Sequence, residues 1–493
     1  MTHTRFATVV ASLVVLLSAA TLAEAAGRAK ARWPTLAPSM TIDEDGFVYV
    51  ESAAEEAPSE SPSDLPEPPP MPDDLKAKPQ QTERAPESGA AKSGLPERVY
   101  DPAYDAIDLS GGCCASSRCC TPCTIDCRSC RRGLEFGGWI DHGISGVANN
   151  PADRYNGPVT FNDRHGEYQM NQLWFYAQRE VDTSRRGWDV GGRVDFVYGS
   201  DARFTQAADG LEANWNQTEP FYQAALPQFY LDVGVGDWVV RMGHFFTILG
   251  YEVVPAPDNF FYSHAYTMQY GEPFTHTGIL FSRDIGPNWT FSAGLHRGND
   301  QFDDTDGLDA MNYLGGFSWT NCRRNLSVAF ALSATEQGPC VNQLIYSLVG
   351  TWDVTDRLTY VIQHDQGDTF DPALGRRAQW YGINQYFLYE LNKRWAAGLR
   401  VEWFRDDDGV RVAGLGAGNQ NQGLPPNPPA FAGDFYEITL GLNYNLRDNC
   451  VIRPEVRWDW FDSQLPNPPG NRPYDAGDRN SQFLIGFDMI YMF

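Results

Sequence analysis

From Leu134 to the final Phe493 the chain repeats one pattern: about ten to fifteen residues in which apolar and polar side chains alternate, then a connection rich in Gly, Pro, Asn or Asp. A period of two is the period of a β-strand with two unlike faces. The last repeat, SQFLIGFDMIYMF, shows it well. Phe483, Ile485, Phe487, Met489, Tyr491 and Phe493 fall on one face, while Leu484, Ile490 and Met492 interrupt the other. A closing strand of this kind, in a chain with an export signal, is expected to pair with the first strand of a barrel, because lipid tolerates no unpaired backbone edge.

The alternation predicts strands near 134–147, 167–181, 187–199, 221–235, 237–249, 273–285, 288–298 and 311–321. It predicts others near 325–335, 340–353, 357–366, 377–391, 393–406, 433–447, 449–461 and 480–493. The count, about sixteen, is even and within the bacterial barrel range. Tight links follow every second strand, at Asp182 to Arg186, Gly236-Asp237, Gly286 to Asn288, Cys322 to Arg324, Thr355-Asp356, Asn392-Lys393 and Arg447 to Asn449. Long polar loops lie between them, including Gly199 to Pro220, Gly250 to Glu272, Asp406 to Ala432 and Asp462 to Arg479. This order puts both barrel termini on the periplasmic side. Trp188, Trp238, Trp289, Trp319, Trp352 and Trp395 fall near the tight links, as an aromatic girdle at one lipid interface would. A soluble sandwich or propeller also packs aromatics near strand ends, but it needs no alternation of loop lengths. The expected fold is therefore all-β: a transmembrane antiparallel up-and-down β-barrel over 133–493.

The residues before the barrel read differently. Arg5, the apolar run from Phe6 to about Ala20 and Ala23-Glu24-Ala25 form a secretory signal over 1–25. No later run reaches the roughly 18 apolar residues of a spanning helix. Residues 26–112 are rich in Pro, Ala, Ser and Glu and read as a disordered tether, in which Thr41 to Val50 is the one stretch with docking character. A net charge of −25 argues against nucleic acid.

A Cys-rich neck over 113–132 holds Cys113, Cys114, Cys119, Cys120, Cys123, Cys127 and Cys130. Its C-x-x-C units stand too close together for the usual zinc spacing and do not follow the bacterial ferredoxin order. In an exported chain disulfides are the expected state. Cys322 and Cys450 map to the same rim as the neck and are further disulfide candidates, whereas Cys340 maps to the opposite end. No cofactor and no metal site is expected. Around NDQFDDTDGLD, Asp304, Asp306 and Gly307 fit part of an EF-hand loop, but Phe302 and Tyr313 stand where that loop needs acids.

Charged residues alternate with apolar ones along several strands. Arg400 and Glu402 face one way and Leu399, Val401 and Trp403 the other; Arg453, Glu455, Arg457 and Asp459 stand against Ile452, Val456, Trp458 and Trp460. Arg or Lys on the lipid face near the midplane costs about 2–4 kcal/mol. These rows must face inward, together with Arg193, Asp195, Arg241 and Glu437, and they are the expected pore-lining residues of a wet lumen. At any one position a structural ion pair bracing the wall is an equal reading.

The loop GYEVVPAPDNFFYSHAYTMQYGEP is aromatic, unlike the other long connections. Phe260, Phe261, Tyr262 and Tyr266 point to a loop folded against or into the barrel, as a constriction or as an outer cap. Glu252, Asp258, His264 and Glu272 are its candidate constriction residues.

GWDVGGRVDFVYGSDARF, MGHFFTILGYEVVPAPDNFFYSHAYTMQYGEPFTHTG, LRVEWFRDDDGVR and IRPEVRWDWFD resemble the OmpL-like outer-membrane β-barrel porin family, over roughly Gly137 to Phe493. The resemblance implies passive passage of small hydrophilic solutes or ions, with outer-membrane lipid as the surrounding partner. The acidic tether and the neck are not part of that pattern. No catalytic set is visible: the histidines are scattered, and Gly143-Ile144-Ser145-Gly146 is only a glycine-flanked serine. The rival expectation is a structural barrel, crosslinked through the neck, with its tether on the cell wall or a periplasmic partner. Association into a homo-oligomer follows only by analogy from fold.

Overall fold

The computed structural model describes residues 40–42, 48–50 and 133–493, apart from 185, 208, 213, 217–220, 304–311, 338–340, 372–374, 413–430 and 465. The signal, most of the tether, the neck and Cys340 lie outside the described residues. In the N-terminal unit, Met40–Ile42 (β1) pairs antiparallel with Val48–Val50 (β2), with Thr41 opposite Tyr49. These two strands lie at the two ends of the stretch, Thr41 to Val50, that the sequence marks for docking.

The second unit holds sixteen barrel strands. They are β3 (Leu134–Val147), β4 (Tyr168–Arg179), β5 (Trp188–Gly199), β6 (Gln223–Val235), β7 (Trp238–Phe246), β8 (Thr275–Ile285), β9 (Trp289–Asn299) and β10 (Asn312–Thr320). They continue as β11 (Leu326–Gln337), β12 (Val341–Thr355), β13 (Leu358–Asp371), β14 (Arg376–Asn392), β15 (Trp395–Asp406), β16 (Gly433–Arg447), β17 (Cys450–Ser463) and β18 (Ser481–Met492). Each pairs antiparallel with its neighbour, and β18 returns to β3, so the sheet closes and leaves no edge. Phe493 seals this seam by donating its N–H to the Gly138 carbonyl at 2.8 Å and accepting the Gly138 N–H at 2.9 Å.

Alternation explains which side faces lipid. Along β18 the outward Phe483, Ile485, Phe487 and Tyr491 are exposed, while Gln482, Leu484, Asp488 and Ile490 are buried inside. A closed barrel needs this, because a one-residue slip would turn every polar side chain toward the membrane. Trp188, Trp238, Trp289, Trp352 and Trp395 are exposed beside the tight turns, and Trp289 packs on Trp319 with ring centroids 6.3 Å apart. Cys322 is exposed in the β10–β11 turn and Cys450 is buried at the start of β17; neither forms a disulfide among the described residues.

The candidate site: a loop inserted in the barrel

Residues 247–274 connect β7 to β8 and turn into the barrel instead of standing outside it. The segment carries a 3-10 turn, Ala256–Asp258, and a π-type turn, Thr267–Gly271. Its aromatic residues explain the direction. Phe261, Tyr262, Tyr266 and Tyr270 are all buried, and exposing them to water would cost the apolar area they cover.

A segment inside a barrel joins no sheet, so its peptide groups need other partners. The inner wall supplies them according to charge. Arg453 on β17 donates from Nη1 to the Ala256 and Asn259 carbonyls at 2.9 and 2.7 Å, and Arg457 donates to the His264 carbonyl at 2.5 Å. Carboxylates take the N–H groups: Glu455 accepts from Tyr262 and Ser263 at 3.0 and 3.1 Å, and Glu402 from Tyr266 and Thr267 at 2.7 and 2.6 Å. Guanidinium groups only donate and carboxylates only accept, so the mixed row reads both halves of the peptide unit.

Arg400 on β15 is the centre of the arrangement and has no exposure. Its Nη1 lies 2.6 Å from Glu252 and 2.7 Å from the Ser263 carbonyl, and its Nε lies 2.5 Å from Glu437 on β16. Glu252 also meets His264 Nδ1 at 3.1 Å and accepts the Ala265 N–H at 2.9 Å. Burial pushes the Glu252 carboxyl up, but the Arg400 guanidinium and His264 outweigh it and hold the group below the usual carboxylate range. Arg457 pairs with Asp459 at 2.8 Å and with Glu437 at 3.4 Å, and Asp459 accepts the Tyr266 hydroxyl at 2.7 Å.

The remaining candidates fall elsewhere. Arg193 pairs with Asp195 at 2.6 Å and Arg241 with Asp232 at 3.0 Å, on the inner faces of β5 to β7. Asp258 is half-buried at the 3-10 turn, and Glu272 meets Gln363 of β13 at the far end of the loop. Burial first, and then the nearby Asp365, push the Glu272 carboxyl well above its ordinary range.

Sequence reasoning missed the sockets that receive the rings. A Cβ on Gly398 would stand 2.3 Å from Phe260, and one on Gly143 would stand 2.8 Å from Tyr262. Glycine inside a strand was the available signal, since it marks close approach of another group. Trp380, which donates to the Gly271 carbonyl at 3.0 Å, and Tyr474, 2.9 Å from the Tyr266 hydroxyl, were also missed. Their partners are too distant in sequence for local spacing to reveal them.

The mixed rows pointed to a wet lumen; the loop packs on those of β15 and β17, whereas the Arg193–Asp195 and Arg241–Asp232 pairs lie within the wall. Leu249 packs in one cluster with Leu280, Leu314 and Ile345, and Phe261 in another with Val349, Val361 and Tyr386. Each of the sixteen strands carries at least one inward side chain that is buried. Val253, Val254 and Ala256 of the loop share a further cluster with Trp139, Trp174 and Val197, so the loop also packs on β3 to β5.

Residues 133–493 match the family model "Putative beta-barrel porin-2, OmpL-like". A search of curated proteins returns no match. Among solved structures the chain is similar to OmpT of Vibrio cholerae, at 10% identity and a TM-score of 0.46, covering 73% of this chain and 97% of that one. It is also similar to an anion-selective porin from Comamonas acidovorans, at 10% identity and a TM-score of 0.46, covering 73% and 99%. OprB of Pseudomonas putida is similar at 11% identity and a TM-score of 0.49, covering 74% and 96%. With the whole barrel inside the family match and its sheet closed, the chain belongs to the OmpL-like β-barrel porins of the outer membrane.

Proposed function

We propose that the protein is a passive channel for small hydrophilic solutes or ions, and that the loop 247–274 sets its aperture. One observation carries this reading: the loop is held inside the barrel by charges on a polar wall, Arg400 and Glu252 foremost. Ion pairs and peptide hydrogen bonds can be exchanged for water as a segment shifts, which a wholly apolar plug does not allow. In this reading Arg193, Asp195, Arg241, Arg400, Glu402, Glu437, Arg453, Glu455, Arg457 and Asp459 line the path once the loop moves. Glu252, Asp258, His264 and Glu272 ride on the moving side.

A second reading is a closed, anchoring barrel, crosslinked through the neck cysteines and reaching a cell-wall or periplasmic partner through the tether. The apolar packing of loop residues on the wall favours it. Planar-bilayer conductance of the full refolded chain separates the two. Stepwise openings support the channel; openings only in an Arg400→Ala variant support a channel gated by the loop. Silence in both leaves the anchoring barrel.

A further inference from the structure

The lipid-facing side of β8 to β11 is not smooth. Two small residues stand side by side, Ala293 on β9 opposite Gly315 on β10, between the rings of Phe281, Phe291 and Phe317. The groove measures about 440 Å³, within the roughly 300–1,000 Å³ of small-ligand sites. Tyr313 leans across it: a Cβ on Gly315 would stand 2.4 Å from the Tyr313 hydroxyl.

A cation sits at one rim. Arg283 on β8 is outward and 42% exposed, and its guanidinium lies 5.2 Å from the ring of Trp238 in the tryptophan girdle. Its counter-charge, Asp237, is 3.9 Å away and 72% exposed. Arg283 Nε is buried with no hydrogen-bond partner. An arginine at girdle level, beside an apolar groove that runs toward the bilayer midplane, matches the two halves of one molecule: an anionic phosphate and an acyl chain.

We infer that this groove is a phospholipid site, with the phosphate on Arg283 and an acyl chain over Ala293 and Gly315. The inference rests on residence of the barrel in a membrane and not on conduction, so the two readings fail separately. Ordinary boundary lipid exchanges over any apolar face. Here the dent adds contact area and the guanidinium adds a charge-assisted bond, so one lipid is retained when detergent strips the rest.

The test is native mass spectrometry of the full chain, released from detergent micelles doped with phosphatidylglycerol or with diacylglycerol, which lacks the phosphate. One retained phosphatidylglycerol is expected, and little diacylglycerol. Arg283→Ala should lower retention about tenfold, the scale of one charge-assisted hydrogen bond. Ala293→Phe, which fills the groove from the outside, should abolish it. Heat-modifiable gel mobility reports whether each variant is folded. Equal retention in either folded variant, equal retention of the two lipids, or a second protein copy in place of the lipid overturns the proposal.

Discussion

Arg400 and Glu252 lie 148 residues apart in the chain and 2.6 Å apart in the barrel, both buried. One belongs to the wall and the other to the loop, so the pair reports whether the loop is inside.

Removing one partner of a buried pair leaves the other charge uncompensated, at a cost of about 3–5 kcal/mol. Arg400→Ala and Glu252→Ala should therefore each release the loop without opening the sheet. The check is limited proteolysis between 247 and 274, with single-channel current recorded in parallel. Cleavage should become faster and conductance higher. Equal cleavage rates in the variants and the parent chain would show that the pair does not hold the loop.

Gly398→Leu places a side chain where Phe260 now stands 2.3 Å from the ideal Cβ position. The ring must leave, and the loop with it, since interiors do not absorb such overlap. Gly350→Ala is the control, because its Cβ would meet Ile362 at an ordinary 3.4 Å. Higher conductance is expected in the first and parental conductance in the second.

Burial and the nearby Asp365 raise the Glu272 carboxyl, so the inserted loop keeps this proton to higher pH than the released loop does. Insertion is then fully favoured below the ordinary carboxylate range and is lost as pH climbs through the raised value. Open probability should rise as pH climbs through that raised value. Glu272→Gln, which stays neutral, should flatten that rise; an unchanged profile would place the titrating group elsewhere.

Glu212, in the loop between β5 and β6, accepts the N–H groups of Ala207 and Leu226, and burial pushes its carboxyl up to about 7. The protonated form is the one its buried site favours, so the anchor weakens as pH rises through 7. Hydrogen exchange at Ala207 and Leu226 should then gain protection in the parent chain relative to Glu212→Gln on the acidic side, once intrinsic rates are corrected.

Cys322 is exposed at a tight turn and Cys450 is buried. A membrane-impermeant maleimide should label Cys322 only after the outer membrane is opened, and Cys450 far more slowly. Labelling of Cys322 on intact cells would invert the assigned orientation of the barrel.

Much of this was legible in the chain. A period of two, with short and long connections in turn, specified strands and their faces, and the reading 433–447 coincides with the limits of β16, Gly433–Arg447. Aromatic composition singled out the loop between β7 and β8, which turns inward. Inward charge was forced, because lipid would not take it. Those are local properties, decided by backbone period and by which solvent each face meets.

The pairing of charges was not local. Nothing in the spacing of Arg400 tells that it meets Glu252, or that Arg453 holds the Ala256 carbonyl, and the glycines that receive Phe260 and Tyr262 look like any others in a strand. Barrel closure and stagger set which inner residues stand at the same height, and the loop's path across the lumen sets which of them it touches. The sequence by itself determined a barrel with a polar wall and an aromatic insert. Only the tertiary structure decided that the wall grips the insert, because that contact exists only after the sheet has curved around to face it.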